Sequence, residues 1–100
     1  MRITNEVKLD YKDVLIQPKR STLKSRKDVD LQRKFKFRNS GNFWSGIPIM
    51  AANMDGVGTF NMAHELSKLD LFTCITKQNT PKDWYNKFGQ ISLDHVAISI

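Results

Sequence analysis

From Ile47 onward, short apolar runs alternate with amphipathic stretches. Ile47-Pro48-Ile49-Met50-Ala51-Ala52 is an unbroken apolar run of strand length, and its continuity predicts a strand covered on both faces. A turn-rich connection, Asn53-Met54-Asp55-Gly56-Val57-Gly58, follows it. Thr59 is placed to cap a helix whose Phe60, Ala63, Leu66 and Leu69 recur at helical spacing. Residues 71–76 predict a second buried strand. Thr80-Pro81 then opens a second helix, with Thr80 as cap, Pro81 at the first helical position and Asp83 in the first turn. Trp84, Tyr85 and Phe88 form that helix's predicted inner face. His95-Val96-Ala97-Ile98-Ser99-Ile100 is the third predicted strand. Strand, helix, strand, helix, strand is the grammar of parallel pairing with right-handed crossovers, an α/β fold. Three parallel strands leave edges and a face bare, so residues 47–100 read as the first βαβαβ units of a larger barrel or doubly wound sheet, or of a fold completed by another chain.

Residues 1–46 do not share this rhythm. Val29-Asp30-Leu31 and Phe35-Lys36-Phe37-Arg38 alternate apolar and polar positions, and Asn39-Ser40-Gly41-Asn42 supplies a turn, so a small antiparallel β ribbon is expected ahead of the main fold. Such a ribbon is suited to plug the bottom of a barrel.

Composition sharpens the picture in three ways. With 100 residues and 40% hydrophobic positions the chain holds at most one core, and it is too rich in apolar and aromatic residues for intrinsic disorder. Its net charge of +6 is concentrated: residues 18–38 carry nine basic against two acidic residues, while the segments on either side are close to neutral. That segment is either a solvated loop or an attractor of polyanions such as nucleic acid or nucleotide phosphates. A single cysteine excludes an internal disulfide and a multi-cysteine zinc site, and neither a secretory stretch nor a membrane span is present, which leads us to expect a soluble, cytoplasmic protein without a membrane partner.

Few residues suggest chemistry on their own. Gly56-x-Gly58 lies between a predicted strand and helix, but Asn61 occupies the place of the third glycine in a dinucleotide fingerprint, so the glycines read as a tight βα turn. In a barrel the loops at the carboxyl ends of strands carry the active site, which singles out Asn53, Met54 and Asp55 after the first strand and Lys77, Gln78 and Asn79 after the second. Lys77 is either a ligand for a phosphate or carboxamide oxygen or an ordinary loop lysine. Cys74 lies between apolar neighbours and reads as a small core residue. His64 and His95 are far apart and have no cysteine partner, so no metal site and no nucleophile–base pair is expected.

Four stretches carry a resemblance to a known family: Leu9-Asp10-Tyr11-Lys12-Asp13-Val14-Leu15-Ile16, Pro18-Lys19-Arg20-Ser21-Thr22-Leu23-Lys24-Ser25-Arg26, Phe37-Arg38-Asn39-Ser40, and Pro48-Ile49-Met50-Ala51-Ala52-Asn53-Met54-Asp55. In order and spacing they resemble the amino-terminal portion of the IMP dehydrogenase/GMP reductase family, and the Ala-Ala-Asn-Met-Asp and Pro-Lys-Arg-Ser-Thr-Leu forms point to its GMP reductase branch. The resemblance implies a (β/α)8 TIM barrel and an NADPH-dependent oxidoreductase of purine nucleotide interconversion, converting GMP to IMP with release of ammonia through a cysteine nucleophile. It implies that Ser25, Arg26 and Lys77 contact the cofactor, that Met54 lies against the purine base, and that Asp55 shapes the same substrate-binding loop. It also implies a homotetramer in which the basic segment reaches a neighbour's cofactor. By the same resemblance the nucleophilic cysteine, with its neighbouring threonine and glutamate, lies beyond residue 100; Cys74 is not its counterpart, and residues 1–100 alone are expected to be catalytically silent. Two positions depart from the family: Gly56 stands where threonine usually follows Met-Asp, and Gln78 where histidine usually follows the lysine.

Three alternatives remain open at this point. They are a non-catalytic nucleotide-binding fragment or subunit of the same fold, an IMP dehydrogenase-like oxidoreductase, and a nucleic-acid binder acting through residues 18–38. The last is disfavoured because no aromatic residue able to stack on a base lies between Lys19 and Lys34.

Overall fold

A computed structural model describes residues 1–100. It is mixed α/β, with a two-stranded antiparallel ribbon and a three-stranded parallel sheet. The ribbon pairs β1 (Arg33–Lys36) with β2 (Phe43–Gly46), in the register Phe35 opposite Trp44. The parallel sheet has the order β3 (Met50–Ala51), β4 (Phe72–Ile75), β5 (Val96–Ile98), so β4 is central. Two helices connect these strands, α1 (Phe60–Ser67) and α2 (Pro81–Lys87). No helix is long and apolar enough to cross a membrane.

Local chemistry explains both helix starts. The Thr59 hydroxyl accepts from the Met62 amide at 3.1 Å and caps α1. Thr80 and Asp83 form a reciprocal capping box at α2, where Pro81 needs no backbone donor. The Thr80 hydroxyl donates to the Asp83 carboxylate at 2.6 Å and the Thr80 amide donates to it at 2.8 Å, which together hold that carboxyl below the usual aspartate range.

The pleat of β4 sends alternate side chains to opposite faces. Ile75, fully buried, packs with Ala63 of α1 and Ile91, and Phe60, Trp84 and Val96 close around them; the Phe60 and Trp84 rings meet edge-on at 5.1 Å. Phe72 serves the ribbon instead: its ring meets Trp44 edge-on at 5.4 Å, and Trp44 stacks on Phe35 at 6.1 Å. The ribbon is also tied to the α1–β4 turn. There Asp70 takes a left-handed conformation (φ 57°), its carbonyl accepts from the Ile47 amide at 2.8 Å, and its carboxylate accepts from the Gln32 side-chain amide at 2.8 Å. Thus the ribbon sits near the amino ends of β4 and β5, with His95 edge-on to Trp44 at 6.0 Å.

The structure redraws several predicted elements. The ribbon's first strand is Arg33–Lys36 rather than residues 35–38, Val29-Asp30-Leu31 forms no strand, and β1 pairs with residues 43–46 across the turn through residues 37–42, where the Phe37 amide donates to Asn42 and the Gly41 amide to Phe37. The first parallel strand is only two residues long and lies at a sheet edge. Its Met50 and the neighbouring Ile49 are exposed, so it is not covered on both faces. His95 belongs to a 3-10 turn, Leu93–His95, that precedes β5. Leu69 lies past the end of α1 and is exposed, as are Tyr85 and Phe88; only Trp84 of the expected inner face of α2 packs on the core.

Candidate active site

Parallel strands end together, and here the segments leaving β3, β4 and β5 meet at one end of the sheet. The Asn53–Gly58 connection is wound tightly, with the Val57 and Gly58 amides both donating to the Met54 carbonyl, at 3.0 and 2.9 Å. Gly56 has φ +73°, a conformation that side-chain-bearing residues adopt only with strain. A β-branched residue would fit worst at this position.

Gly58 is required for a different reason. A methyl at its Cα would overlap the carbonyl oxygen of Cys74 and lie 2.9 Å from that of Ala52. Only a residue without a side chain lets the loop lie directly on the sheet end. Its carbonyl then accepts from the Thr76 amide at 3.0 Å, which pins the loop to the exit of β4.

The next loop begins with the exposed Lys77 and is held by Asn79, whose side-chain amide donates to the Thr76 carbonyl at 3.0 Å and the Thr76 hydroxyl at 3.2 Å. Beyond β5, the Ser99 amide donates to the Ile75 carbonyl at 3.0 Å, and its hydroxyl accepts from the Asn53 side-chain amide at 2.8 Å. Met54, Asp55 and Lys77 thus share one end of the sheet on adjacent loops, all exposed. Lys77 has no ion-pair partner within the chain.

Ser25 and Arg26 are placed differently. They belong to a short 3-10 turn, Arg26–Asp28, in which the Ser25 hydroxyl accepts from the Lys27 amide at 3.3 Å and the Asp28 carboxylate accepts from the Ser25 amide at 2.9 Å. All residues up to Ser40 are exposed, and no hydrogen bond or ion pair joins this turn to the strand ends. The structure brings Met54, Asp55 and Lys77 together and leaves Ser25 and Arg26 on a separate segment. Arg26, like Lys77, has no anionic partner, so both are free to meet a phosphate.

Cys74 is a free, half-buried cysteine within β4, its backbone carbonyl directly against Gly58 of the first loop. The residue that sequence reading missed is Ser99, taken there only as part of a strand. A hydroxyl at the end of the third apolar run, matching Asn53 at the end of the first, was the available signal.

The fold and the converging loops define an α/β protein of the class that gathers its polar residues at the carboxyl ends of parallel strands. Several curated proteins similar to this chain are named GMP reductase. One from Phytophthora infestans is 65% identical over 83 residues, 83% of this chain and 23% of its own length. Another, from Salmonella arizonae, is 53% identical over 102 aligned residues, covering 99% of this chain and 29% of the relative. A Salmonella newport protein of the same name matches to the same extent. Such identity makes these proteins homologues of the chain, which spans about a quarter of their length. No protein-family model matches it.

Proposed function

We propose that these residues belong to an NADPH-dependent enzyme that converts GMP to IMP with release of ammonia, and that they form the lead-in (1–46) and the first βα units (47–100) of a (β/α)8 barrel. The observation that carries this reading is the 53% identity, along 99% of the chain, to a protein named GMP reductase. The geometry supports it, since a parallel βαβαβ unit with a plugging ribbon near its amino ends leaves the carboxyl ends open for the reaction.

In this reading the exposed Met54 offers its thioether and methylenes to one face of the purine, while Asp55 holds the loop's polar edge. Arg26 and Lys77, two of the chain's many unpaired cations, bind the cofactor's phosphates, and Ser25 positions Arg26 through the turn that it caps. NADPH, when bound, supplies the hydride that takes the place of the departing amino group on the purine. In this reading the nucleophilic cysteine is supplied outside these residues, since Cys74 belongs to the strand β4 and not to a strand-end loop. A reduced, unpaired cysteine suits a cytoplasmic setting. Tyr11, Leu15 and Ile16 are almost wholly exposed, at 94%, 98% and 98%, which favours their burial against further protein, as in a homotetramer.

The test is direct. The full-length protein containing this chain is given GMP and NADPH; loss of NADPH absorbance, with IMP and ammonia formed in equal amounts, is expected. Absence of turnover overturns the assignment.

A further inference from the structure

We propose that Asn53 and Ser99 form a clamp that positions Met54 for the substrate, an inference that rests on the function proposed above. The two residues are 46 positions apart in sequence, yet the Asn53 amide donates to the Ser99 hydroxyl at 2.8 Å. They follow β3 and β5, which are not neighbours, since β4 lies between them. Adjacent strands stand about 4.8 Å apart, so the bond closes a gap of roughly 10 Å across the exit of β4. In a barrel, alternate strands contribute side chains to a common interior layer. A bond between residues following the first and third strands has that relationship.

The clamp completes the anchorage of one loop. Its far end is pinned by Gly58, whose carbonyl binds the Thr76 amide and whose lack of a side chain allows contact with the sheet. At its near end the Asn53 side chain supplies the one bond to the residue after β5, while the Met54 carbonyl is tied back to the Val57 and Gly58 amides. Ser99 is itself held in register by its amide bond to Ile75. Met54 lies between these pins and is 61% exposed, so the pins, rather than packing, decide where its side chain stands. Each partner retains unused capacity: the Ser99 hydroxyl keeps its proton to donate, and the Asn53 carbonyl oxygen accepts nothing within the chain. Asn53 and Ser99 are thus positioning residues that act through Met54.

The experiment uses the full-length protein and the variants Asn53→Ala, Ser99→Ala, Ser99→Thr and the double alanine. Loss of one hydrogen bond of ordinary strength predicts that each alanine variant raises KM for GMP about fivefold to tenfold while kcat changes less than about twofold. The double variant should be no worse than either single one, and Ser99→Thr, which keeps the hydroxyl, should restore KM. Hydrogen exchange at the amides of residues 54–58 gives a readout independent of turnover, and it should quicken in both single variants while the α1 amides stay unchanged. Additive effects on KM, or unchanged exchange in residues 54–58, overturn the clamp. Failure of the unaltered protein to consume NADPH with GMP overturns the functional reading instead, and the exchange data then judge the loop anchorage by themselves.

Discussion

Residues 1–40 and residues 47–100 obey different physics. In the first region every residue is exposed, and much of its order comes from hydrogen bonds between residues close in sequence: capping boxes of Asp10 with Asp13 and of Ser25 with Asp28. In the second, a central strand sends Ile75 to one face and Phe72 to the other, and each side chain meets partners far away in sequence. The basic surplus sits almost entirely in the first region and the apolar core in the second. A segment that exposes apolar side chains and unpaired cations is built to contact something else, whereas a segment with a core is built to hold its own shape. The candidate site draws on both: the body places Met54, Asp55 and Lys77, and the lead-in carries Ser25 and Arg26.

That contrast is most exposed to failure at Ile75. Ile75→Ala empties the centre of the core and should cost about 3 kcal/mol in denaturant unfolding, while Ile16→Ala, at 98% exposure, should leave the stability of the 100-residue chain within about 0.5 kcal/mol. Equal effects would erase the distinction between the two regions. Next in size, Gly58→Ala forces a methyl against the Cys74 and Ala52 carbonyls and should lose about 2 kcal/mol, whereas Gly89→Ala, with open space around it, should be almost silent in the same assay.

Thr80→Ala removes the α2 cap and should cost about 1 kcal/mol. The same capping box carries a pH signature. The folded-state Asp83 carboxyl titrates lower than in the unfolded chain, so its contribution is present above the unfolded aspartate value and disappears as pH falls through the lower folded one. Thermal unfolding across that acid range should show a loss that Asp83→Asn abolishes. The smallest effect has the opposite sign. The Thr73 hydroxyl is buried without a hydrogen-bond partner, so Thr73→Val should stabilise the body by up to about 1 kcal/mol; a loss instead would show that the hydroxyl is satisfied in solution.

The sequence by itself determined the order of elements from residue 47 onward, the two helix starts and the character of the strand-end loops. These depend on interactions between near neighbours: Thr59 and Thr80 each cap the amide three positions away, and Pro81 is compatible with a helix start wherever it lies. It also identified Met54, Asp55 and Lys77 as loop residues, because each directly follows an apolar run or its turn. Tertiary structure decided what depends on distant partners. The ribbon's true pairing of Phe35 with Trp44, the exposure of Tyr85 and Phe88, and the short edge strand β3 follow from which surfaces another element covers. So does the Asn53–Ser99 bond: hydrogen bonds across 46 residues leave no periodicity in a chain, and only the stacking of β3, β4 and β5 brings the two side chains within reach.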